Sequence, residues 1–379
     1  MPPNDLLSTT QRYQSLDVLR GLTIALMVVV NTPGSWSAVY EPLKHASWHG
    51  FTVTDLVFPS FLFVVGNAMS FSMAKFKLKS NGAFFSKVGK RALIIFSIGF
   101  LLGMFPFFRV VDGQYELIDL GSIRWMGVLQ RIALCYFLAA LLIRFTTKRL
   151  TILIIIAILM GYWGIMYWFG EGEDPFALLG NAARKFDLWV IGEAHLYKGE
   201  GVPFDPEGLL STLPATVNVL GGYLVGIYLQ RITSKEKAAY MLFATGLILI
   251  LLGLVWDPFF PINKKIWTSS FVLYTIGWST GILAILICLL EVFQLKSWAY
   301  FFEVYGRNPL VLYVLSGVLA RIMMVIYIGG VMSKVYIFEN LFAPFLPLNL
   351  ASFLFSVAFM LLIWLIGFLM DKKRIYIKV

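Results

Sequence analysis

The sequence predicts an all-α polytopic membrane protein with about ten transmembrane helices and with both termini in the cytoplasm. Of its 379 residues, 59% are hydrophobic and 14% are charged, and the mean hydropathy is +0.79. Soluble domains carry roughly a quarter charged residues. The apolar residues come in runs of about twenty, the length that crosses the hydrocarbon core of a bilayer. These runs lack a polar face, which argues against a soluble all-helical protein.

The predicted spans follow one another in a single transmembrane domain that covers residues 1–379. They lie at 17–37, 51–74, 91–108, 123–144, 151–169, 211–230, 238–256, 269–293, 305–328 and 350–370. The outer loop at about 170–210 is expected to be a partly helical cap, because a structureless loop of that length is unusual. The first run is long enough to remain as a span, so we expect no removable signal peptide.

The distribution of charge sets the direction of the chain, because an excess of Lys and Arg on short loops marks the cytoplasmic side. The inner basic residues are Arg12, Lys75, Lys77, Lys79, Lys87, Lys90, Arg91, Arg144, Lys148, Arg149, Arg231, Lys235, Lys237, Lys296, Lys372, Lys373, Arg374 and Lys378. The longer outer loops contain many acids, Glu171, Glu173, Asp174, Glu193, Glu200, Asp205 and Glu207 among them. Membrane topology therefore accounts for the net charge of +10 without a nucleic-acid partner, and lipid is the expected surrounding.

The two cysteines, Cys135 and Cys288, both fall within apolar runs. We interpret them as small core residues and not as a disulfide or a metal framework.

The stretch KHASWHGFTVTD, residues 44–55, contains two of the three histidines of the chain. On a helix His45 and His49 would share a face, and Gly50 would let the chain fold them towards Asp55. Three interpretations are open. The histidines bond to loop carbonyls at the interface, they bind zinc, or one of them is a general base on the outer face. The zinc interpretation lacks the Glu of H-E-x-x-H and an obvious third ligand, so no metal is expected.

Further polar residues gather on the predicted outer side. Asn31 either forms a turn before Pro33 or donates to a carbonyl or oxyanion. The segment FDPEG caps a helix through Asp205 and Glu207, or these acids bind substrate. Lys264 and Trp267 contact an anion or a sugar, or Trp267 belongs to the interfacial aromatic belt.

A second polar set lies on the inner side or part-way into the spans. Arg131 is predicted about seven residues inside its run, so it either pairs with Asp17 or Glu303 or meets an anionic ligand. The candidates for binding an anionic donor are Arg20, Lys90, Arg91, Arg124, Gln130, Arg131, Arg307 and Asn308. Group transfer across the bilayer needs polar residues on the inner side and on the outer side. A secondary transporter also places polar residues along the path of its substrate, so both functions stay open.

Several motifs in fixed order carry a resemblance to a known family. They are SLDVLRGLTIALMVVVN, HASWHGFTVTDLVFPSFLFVVG, IRWMGVLQRIALCY, FDPEGLLST, PINKKIWTSSFVL and KKRIYIKV. Together they resemble the heparan-α-glucosaminide N-acetyltransferase family, within a wider group of transmembrane acyltransferases. The resemblance extends over essentially the whole chain from about residue 12, and it suggests a homodimer. The chain is similar to bacterial relatives in the inner membrane, some of them labelled N-acetylglucosamine-related transporters, which keeps an N-acetylglucosamine transporter as the alternative.

The resemblance implies acetyl transfer from cytosolic acetyl-CoA to the amine of an extracytoplasmic glucosamine-type sugar. It implies that His45 is the catalytic histidine and Asn31 the active-site asparagine, and it carries no role over to His49. On this basis His45 takes the proton of the amine, Asp55 orients the imidazole, and Asn31 polarises the acetyl carbonyl. The acetyl group passes directly to the amine or by way of an acetyl-His45 intermediate.

Overall fold

The computed structural model describes residues 13–73, 76, 79–111 and 114–377. Of the predicted inner basic residues, Arg12, Lys75, Lys77 and Lys378 lie outside this part of the chain. The described residues form α1 (Gln14–Asn31), α2 (Val53–Met73), α3 (Asn81–Met104), α4 (Val128–Phe145), α5 (Lys148–Trp168), α6 (Ala182–Ile191), α7 (Thr212–Arg231), α8 (Lys235–Trp256), α9 (Ser269–Ile287), α10 (Ala299–Arg307), α11 (Pro309–Val325), α12 (Ser333–Leu341) and α13 (Leu348–Lys372). A π-helical turn, Cys288–Val292, prolongs α9. Two pairs of short antiparallel strands are also present, β1 (Phe108–Val111) with β2 (Gln114–Leu117) and β3 (Tyr327–Ile328) with β4 (Val331–Met332).

The predicted all-α polytopic membrane fold is confirmed, with a smaller number of clear spans. Within the described residues, eight helices are long and apolar enough to cross a membrane, or nine when the α10–α11 pair counts as one span. The pair is bent by 84° at Asn308, because Pro309 cannot donate a backbone hydrogen bond within a continuous helix. The predicted span 91–108 belongs to α3, which begins ten residues earlier at a Ser80 cap and carries basic residues along its first half.

The helices form an inner group and a peripheral group. In α1 and α2, 67% and 72% of the apolar 18-residue stretch of the helix is buried. In α5, α8 and α13 the buried share of the corresponding stretch is only 22%, 28% and 28%. The peripheral helices therefore expose apolar faces that lipid is expected to cover. Close packing in the centre depends on small residues. A Cβ added to Gly66 of α2 would lie 1.8 Å from the carbonyl oxygen of Val219 in α7, so the two backbones are in contact there.

Polar contacts assign the loops to two opposite ends of the helix bundle. Arg144, at the end of α4, donates to the carbonyls of Phe76 and Lys79 between α2 and α3. Tyr13 Oη donates to the carbonyl of Leu229 near the end of α7. These segments belong to the predicted inner side. The predicted cap at 170–210 is partly helical, since it contains α6 and a 3₁₀ turn at Glu193–His195, and it lies at the opposite end.

Candidate active site

His45 and Asp55 are joined directly at the outer end of the bundle. His45 Nδ1 lies 2.6 Å from Asp55 Oδ1, ten residues further along the chain. A continuous helix would separate them by about three turns, but the backbone reverses at Gly50, which has a φ of +109°. The N–H of Gly50 donates to the carbonyl of Ile262 at 2.8 Å, which fixes the turn against the loop before α9. The predicted break at Gly50 is thus confirmed.

Asp55 stabilises the start of α2 and orients the histidine at the same time. It is 1% exposed, and its Oδ2 accepts from the backbone N–H groups of Ala46 and Thr52 at 3.1 and 3.0 Å. The bond from Thr52 closes a capping box, in which the third residue of a helix reaches back to the residue before it. Because a carboxylate only accepts, Nδ1 of His45 carries a proton, and in the neutral ring Nε2 then presents a lone pair.

Lys264 faces the same imidazole from the loop between α8 and α9. Its Nζ lies 3.3 Å from Nδ1 and 3.2 Å from Nε2 of His45. Because Lys264 Nζ is almost equally far from both ring nitrogens, it does not lie in the ring plane in front of either one. The lone pair of His45 Nε2 therefore points away from Lys264. Burial lowers the pKa of Lys264 below its ordinary value, although the carboxylates of Glu207 and Asp55 act in the opposite direction. The His45 side chain itself is 43% exposed, which leaves it accessible to a ligand.

The next residue, Lys265, holds three outer loops together. Its Nζ donates to the carbonyl of Ser47 at 2.7 Å and to Glu200 Oε2 at 2.6 Å. His49, four residues after His45, has different partners. Its Nδ1 lies 3.4 Å from Asn263 Nδ2, so the two histidines do not share one ligand set. These contacts keep the loop that carries His45 next to the loop that carries Lys264.

Arg124, whose side chain is 33% exposed, forms an ion-pair cluster with the buried acids Asp205 and Glu207 at the same end. Its Nε and Nη2 lie 2.8 and 2.6 Å from the two carboxylate oxygens of Asp205, and Nη2 lies 2.6 Å from Glu207 Oε2. Burial alone would raise the pKa of Glu207, but the charges of Arg124 and Lys264 outweigh it and lower that pKa. Because these acids raise the pKa of Arg124 against the effect of its own burial, the guanidinium remains charged.

The structure corrects two predictions for the residues of this cluster. Arg124 was predicted inside the fourth span and among the donor-binding residues, but α4 begins only at Val128 and Arg124 lies with the outer acids. The predicted helix cap at Asp205 is wrong, since α7 begins only at Thr212. Asp205 instead closes a turn, in which its Oδ1 accepts from the N–H of Glu207 at 2.9 Å.

Arg131 and Trp267 lie below this cluster and are both fully buried. The guanidinium of Arg131 is 4.9 Å from the centre of the Trp267 ring. Arg131 Nη2 donates to the carbonyl of Gly208 at 2.9 Å and also to Ser211 Oγ, so neither predicted partner, Asp17 or Glu303, is its hydrogen-bond partner. Trp267 is neither an exposed stacking face nor an interfacial belt residue, because its ring is enclosed.

Asn31 is the last residue of α1, and its side chain is exposed at the outer end. Within the described residues it makes no hydrogen bond to His45 or Asp55. After α1 the chain bends at Gly34, where the N–H of Gly34 donates to the carbonyl of Ser352 in α13. Its amide is thus exposed at the end of the bundle that carries His45.

The chain is similar to a known protein family and to two of its curated members. Residues 12–186 match the family described as heparan-alpha-glucosaminide N-acetyltransferase, catalytic. The human heparan-alpha-glucosaminide N-acetyltransferase is 28% identical over 358 residues, which cover 80% of this chain and 52% of the human protein. The mouse protein of the same name is 31% identical over 372 residues, which cover 82% of this chain and 54% of the mouse protein.

The chain is a relative of the heparan-alpha-glucosaminide N-acetyltransferase family. It spans about half the length of the curated relatives that it matches. The region matched by the family description contains Asn31, His45, Asp55 and Arg131, whereas Asp205 and Lys264 follow it.

At the inner end of the bundle, two of the candidate donor-binding cations, Arg20 and Arg307, are already paired with carboxylates. Arg307 Nη1 donates to both oxygens of Asp371 at 2.6 and 2.7 Å, and Arg20 Nη1 lies 3.0 Å from Asp17 Oδ1. Asn308 is buried and fixes the C-terminal segment, since its Nδ2 donates to the carbonyl of Ile375. A cavity of about 320 Å³ opens beside them, lined by Gln14, Asp17, Glu291, Lys296, Glu303 and Arg307.

The remaining donor-binding candidates differ in exposure. Lys90 and Arg91 of α3 are exposed, and the guanidinium of Arg91 lies 4.9 Å from the centre of the Tyr136 ring. Gln130 is buried in α4 and packs on Gly99 of α3. The structure therefore does not bring the predicted cations into one cluster. Their role in binding the donor stays a prediction.

Sequence reasoning missed one titratable group near the outer cluster. Asp187 of α6 is 1% exposed, and its Oδ1 accepts from the N–H groups of Leu209 and Leu210 at 2.9 and 3.3 Å. Burial raises its pKa to about 7, even though these hydrogen bonds lower it. In the sequence, Asp187 is a single acid in a short amphipathic helix, which is indistinguishable from a solvated residue.

Proposed function

We propose that the chain is an integral membrane acetyltransferase that transfers acetyl from cytosolic acetyl-CoA to the amine of a glucosamine-type sugar outside the cytoplasm. The observation that carries the proposal is the His45–Asp55 pair, in which the carboxylate holds Nδ1 and leaves Nε2 as the acceptor of a proton. The similarity to N-acetyltransferases supports the reaction class. A bacterial inner membrane is the proposed location.

In the proposed reaction, His45 Nε2 accepts a proton from the attacking amine. Asp55 keeps the imidazole in the required tautomer and stabilises the imidazolium that forms, as the carboxylate of a catalytic triad does. The nitrogen of the sugar forms a bond to the acetyl carbonyl carbon, and the bond from that carbon to sulfur breaks. Asn31 is the proposed donor to the carbonyl oxygen as negative charge develops on it.

The proposal also assigns one substrate to each end of the bundle, the amino sugar to the outer end and CoA to the inner end. The acid-rich outer loops suit a cationic amino sugar, and Arg124 keeps Asp205 and Glu207 in place beside Lys264. At the inner end, Lys90 and Arg91 are the proposed contacts for the phosphates of CoA, since Arg20 and Arg307 are engaged with carboxylates. Cations bind phosphate strongly when they are not already neutralised.

The proposal is tested with the purified protein in detergent. Acetyl-CoA and glucosamine together should give free CoA thiol and N-acetylglucosamine in equal amounts, measured by a thiol reagent and by mass spectrometry. Glucosamine moved into proteoliposomes without CoA and without acetylation would favour a secondary transporter and contradict the proposal. An acetyl-His45 intermediate would carry the acetyl group on the His45 peptide before the sugar is added and lose it to the sugar afterwards, whereas direct transfer would leave that peptide unmodified.

A further inference from the structure

Lys264 places a primary amine next to the proposed base. Its Nζ lies within 3.3 Å of both imidazole nitrogens of His45. The backbone at this position is fixed, because the N–H of Trp267 donates to the carbonyl of Lys264 at 3.1 Å. The side chain of Asn263 accepts from the N–H groups of Lys265 and Ile266 at 2.7 and 3.1 Å. These bonds therefore fix the backbone from which the Lys264 side chain reaches the imidazole.

Lys265 provides an internal comparison on the same loop. Its ammonium bonds to Glu200 at 2.6 Å and to the carbonyl of Ser47 at 2.7 Å, and its side chain is 16% exposed. A lysine held as an ammonium by a carboxylate cannot act as a nucleophile, because its lone pair is occupied by the proton. Lys264 Nζ, in contrast, lies beside the imidazole of His45.

The proposed acceptor and Lys264 offer the same functional group. A glucosamine-type sugar reacts through a primary amine that must come close to His45 Nε2, and Lys264 Nζ is a primary amine 3.2 Å from that atom. Burial lowers the pKa of Lys264, which increases the fraction of neutral amine. Buried lysines with a lowered pKa are common nucleophiles.

We propose that Lys264 is an acylation site of the protein itself, modified by the bound acyl thioester when no acceptor amine is present. This inference rests on the proposed function. The neutral Nζ forms a bond to the acyl carbon and the carbon–sulfur bond breaks, so that CoA leaves as thiolate. For this step the flexible Lys264 side chain turns Nζ from the face of the ring to the lone pair of His45 Nε2, which accepts the proton lost by Nζ and passes it to the thiolate. The products are an N-acyl-lysine and free CoA thiol, with no oxidant or further reactant.

The modification would inactivate the site. An amide does not return its acyl group to a second amine at a useful rate, and it removes the positive charge beside His45. The acyl-lysine would also occupy the position that the acceptor amine needs. The acceptor should therefore protect the protein by reacting first.

The test uses the full chain in detergent with isotopically labelled acetyl-CoA and no acceptor, followed by proteolysis and peptide mass spectrometry. We expect label on Lys264 at about tenfold or more over Lys265, a ratio equal to ~1.4 kcal/mol in activation free energy. Glucosamine should suppress the label, and His45→Ala should abolish the preference for Lys264. The rate of CoA release should decline during preincubation with acetyl-CoA alone, and a Lys265→Arg variant should be labelled on Lys264 as the wild type is.

The outcomes separate this inference from the proposed function. Release of CoA with glucosamine, combined with equal label on Lys264 and Lys265, would overturn the inference and leave the acetyltransferase proposal in place. Label on Lys264 without any acetylated sugar would support the inference and contradict glucosamine as the acceptor. The absence of both thiol release and label would contradict both proposals.

Discussion

His45 Nδ1 and Asp55 Oδ1 lie 2.6 Å apart across the turn at Gly50. The same carboxylate accepts the N–H groups of Ala46 and Thr52, so the orientation of the histidine depends on the capping of α2. A change at this point should affect the chemistry more than the fold.

Replacing the proposed base should remove most of the activity. His45→Ala should lower kcat for CoA release by about 10²–10⁴-fold, the usual contribution of a general base. The side chain is 43% exposed, so the melting temperature should change little. His49→Ala is the matched control, since its ring contacts Asn263 and is not joined to Asp55. Equal losses in the two variants would contradict the assignment.

Asp55→Asn tests the orientation of the imidazole. Asn keeps the size but has one acceptor oxygen, whereas Asp55 accepts on both oxygens. The wrong tautomer of the histidine should become populated, and kcat should fall by about 10⁴-fold as in other triads with this change. The melting temperature is measured in parallel. A large thermal shift with a rate loss below about tenfold would mean that Asp55 only caps the helix.

Asn31→Ala tests the proposed donor to the acetyl oxygen. Loss of one such donor costs about 10²–10³ in kcat, and the KM for acetyl-CoA should hardly change. Asn340→Ala is the matched control, an exposed asparagine in α12 whose amide donates to the carbonyl of Tyr336. If Asn31→Ala raised only KM, its role would be ground-state binding.

The Arg124 cluster should matter for stability. Arg124→Ala leaves Asp205 and Glu207 buried without their counter-ion, which should cost about 3–5 kcal/mol. The control is Lys185→Ala, which breaks the exposed pair with Glu171 and should cost less than about 1 kcal/mol. Thermal unfolding in detergent measures both. Similar small shifts would show that the cluster contributes little to the fold.

Because the pKa of Asp187 is raised in the folded protein, we expect the free energy of unfolding to fall as the pH rises from about 4 to about 7. Its pKa in the folded protein is about 7, so in this window the folded state holds a proton that the unfolded chain has released. Each rise in pH then favours unfolding. The contribution is fully present below the ordinary pKa of aspartate and is lost as the pH passes the raised one.

Asp187→Asn isolates this effect. The amide oxygen still accepts from Leu209 and Leu210, but the group no longer titrates. The melting temperature of the variant should therefore depend less on pH between about 4 and about 7 than that of the wild type. An unchanged pH dependence would assign the effect to another group.

Much of the fold follows from the sequence, because apolar runs of span length have few alternatives in a bilayer. The break at Asn308–Pro309 was not predicted, since Pro309 is also compatible with an ordinary helix start. The basic first half of α3 lies outside the apolar run, so hydropathy alone placed the helix start ten residues late.

The site was predictable only where its residues are close together in the sequence. His45, Gly50 and Asp55 are close in sequence, so their meeting could be inferred from spacing. Lys264 is 219 residues away from His45, and only the packing of two loops brings them together. Trp267 follows two lysines in sequence, a pattern typical of an interfacial aromatic, yet the structure encloses its ring.

The most direct test of the account is acetyl transfer across a sealed membrane. Glucosamine is trapped inside proteoliposomes and labelled acetyl-CoA is added outside, with His45→Ala vesicles prepared in parallel. The account predicts labelled N-acetylglucosamine inside the wild-type vesicles, free CoA thiol outside, and neither product with the variant. Formation of product only when donor and sugar share one compartment would contradict it.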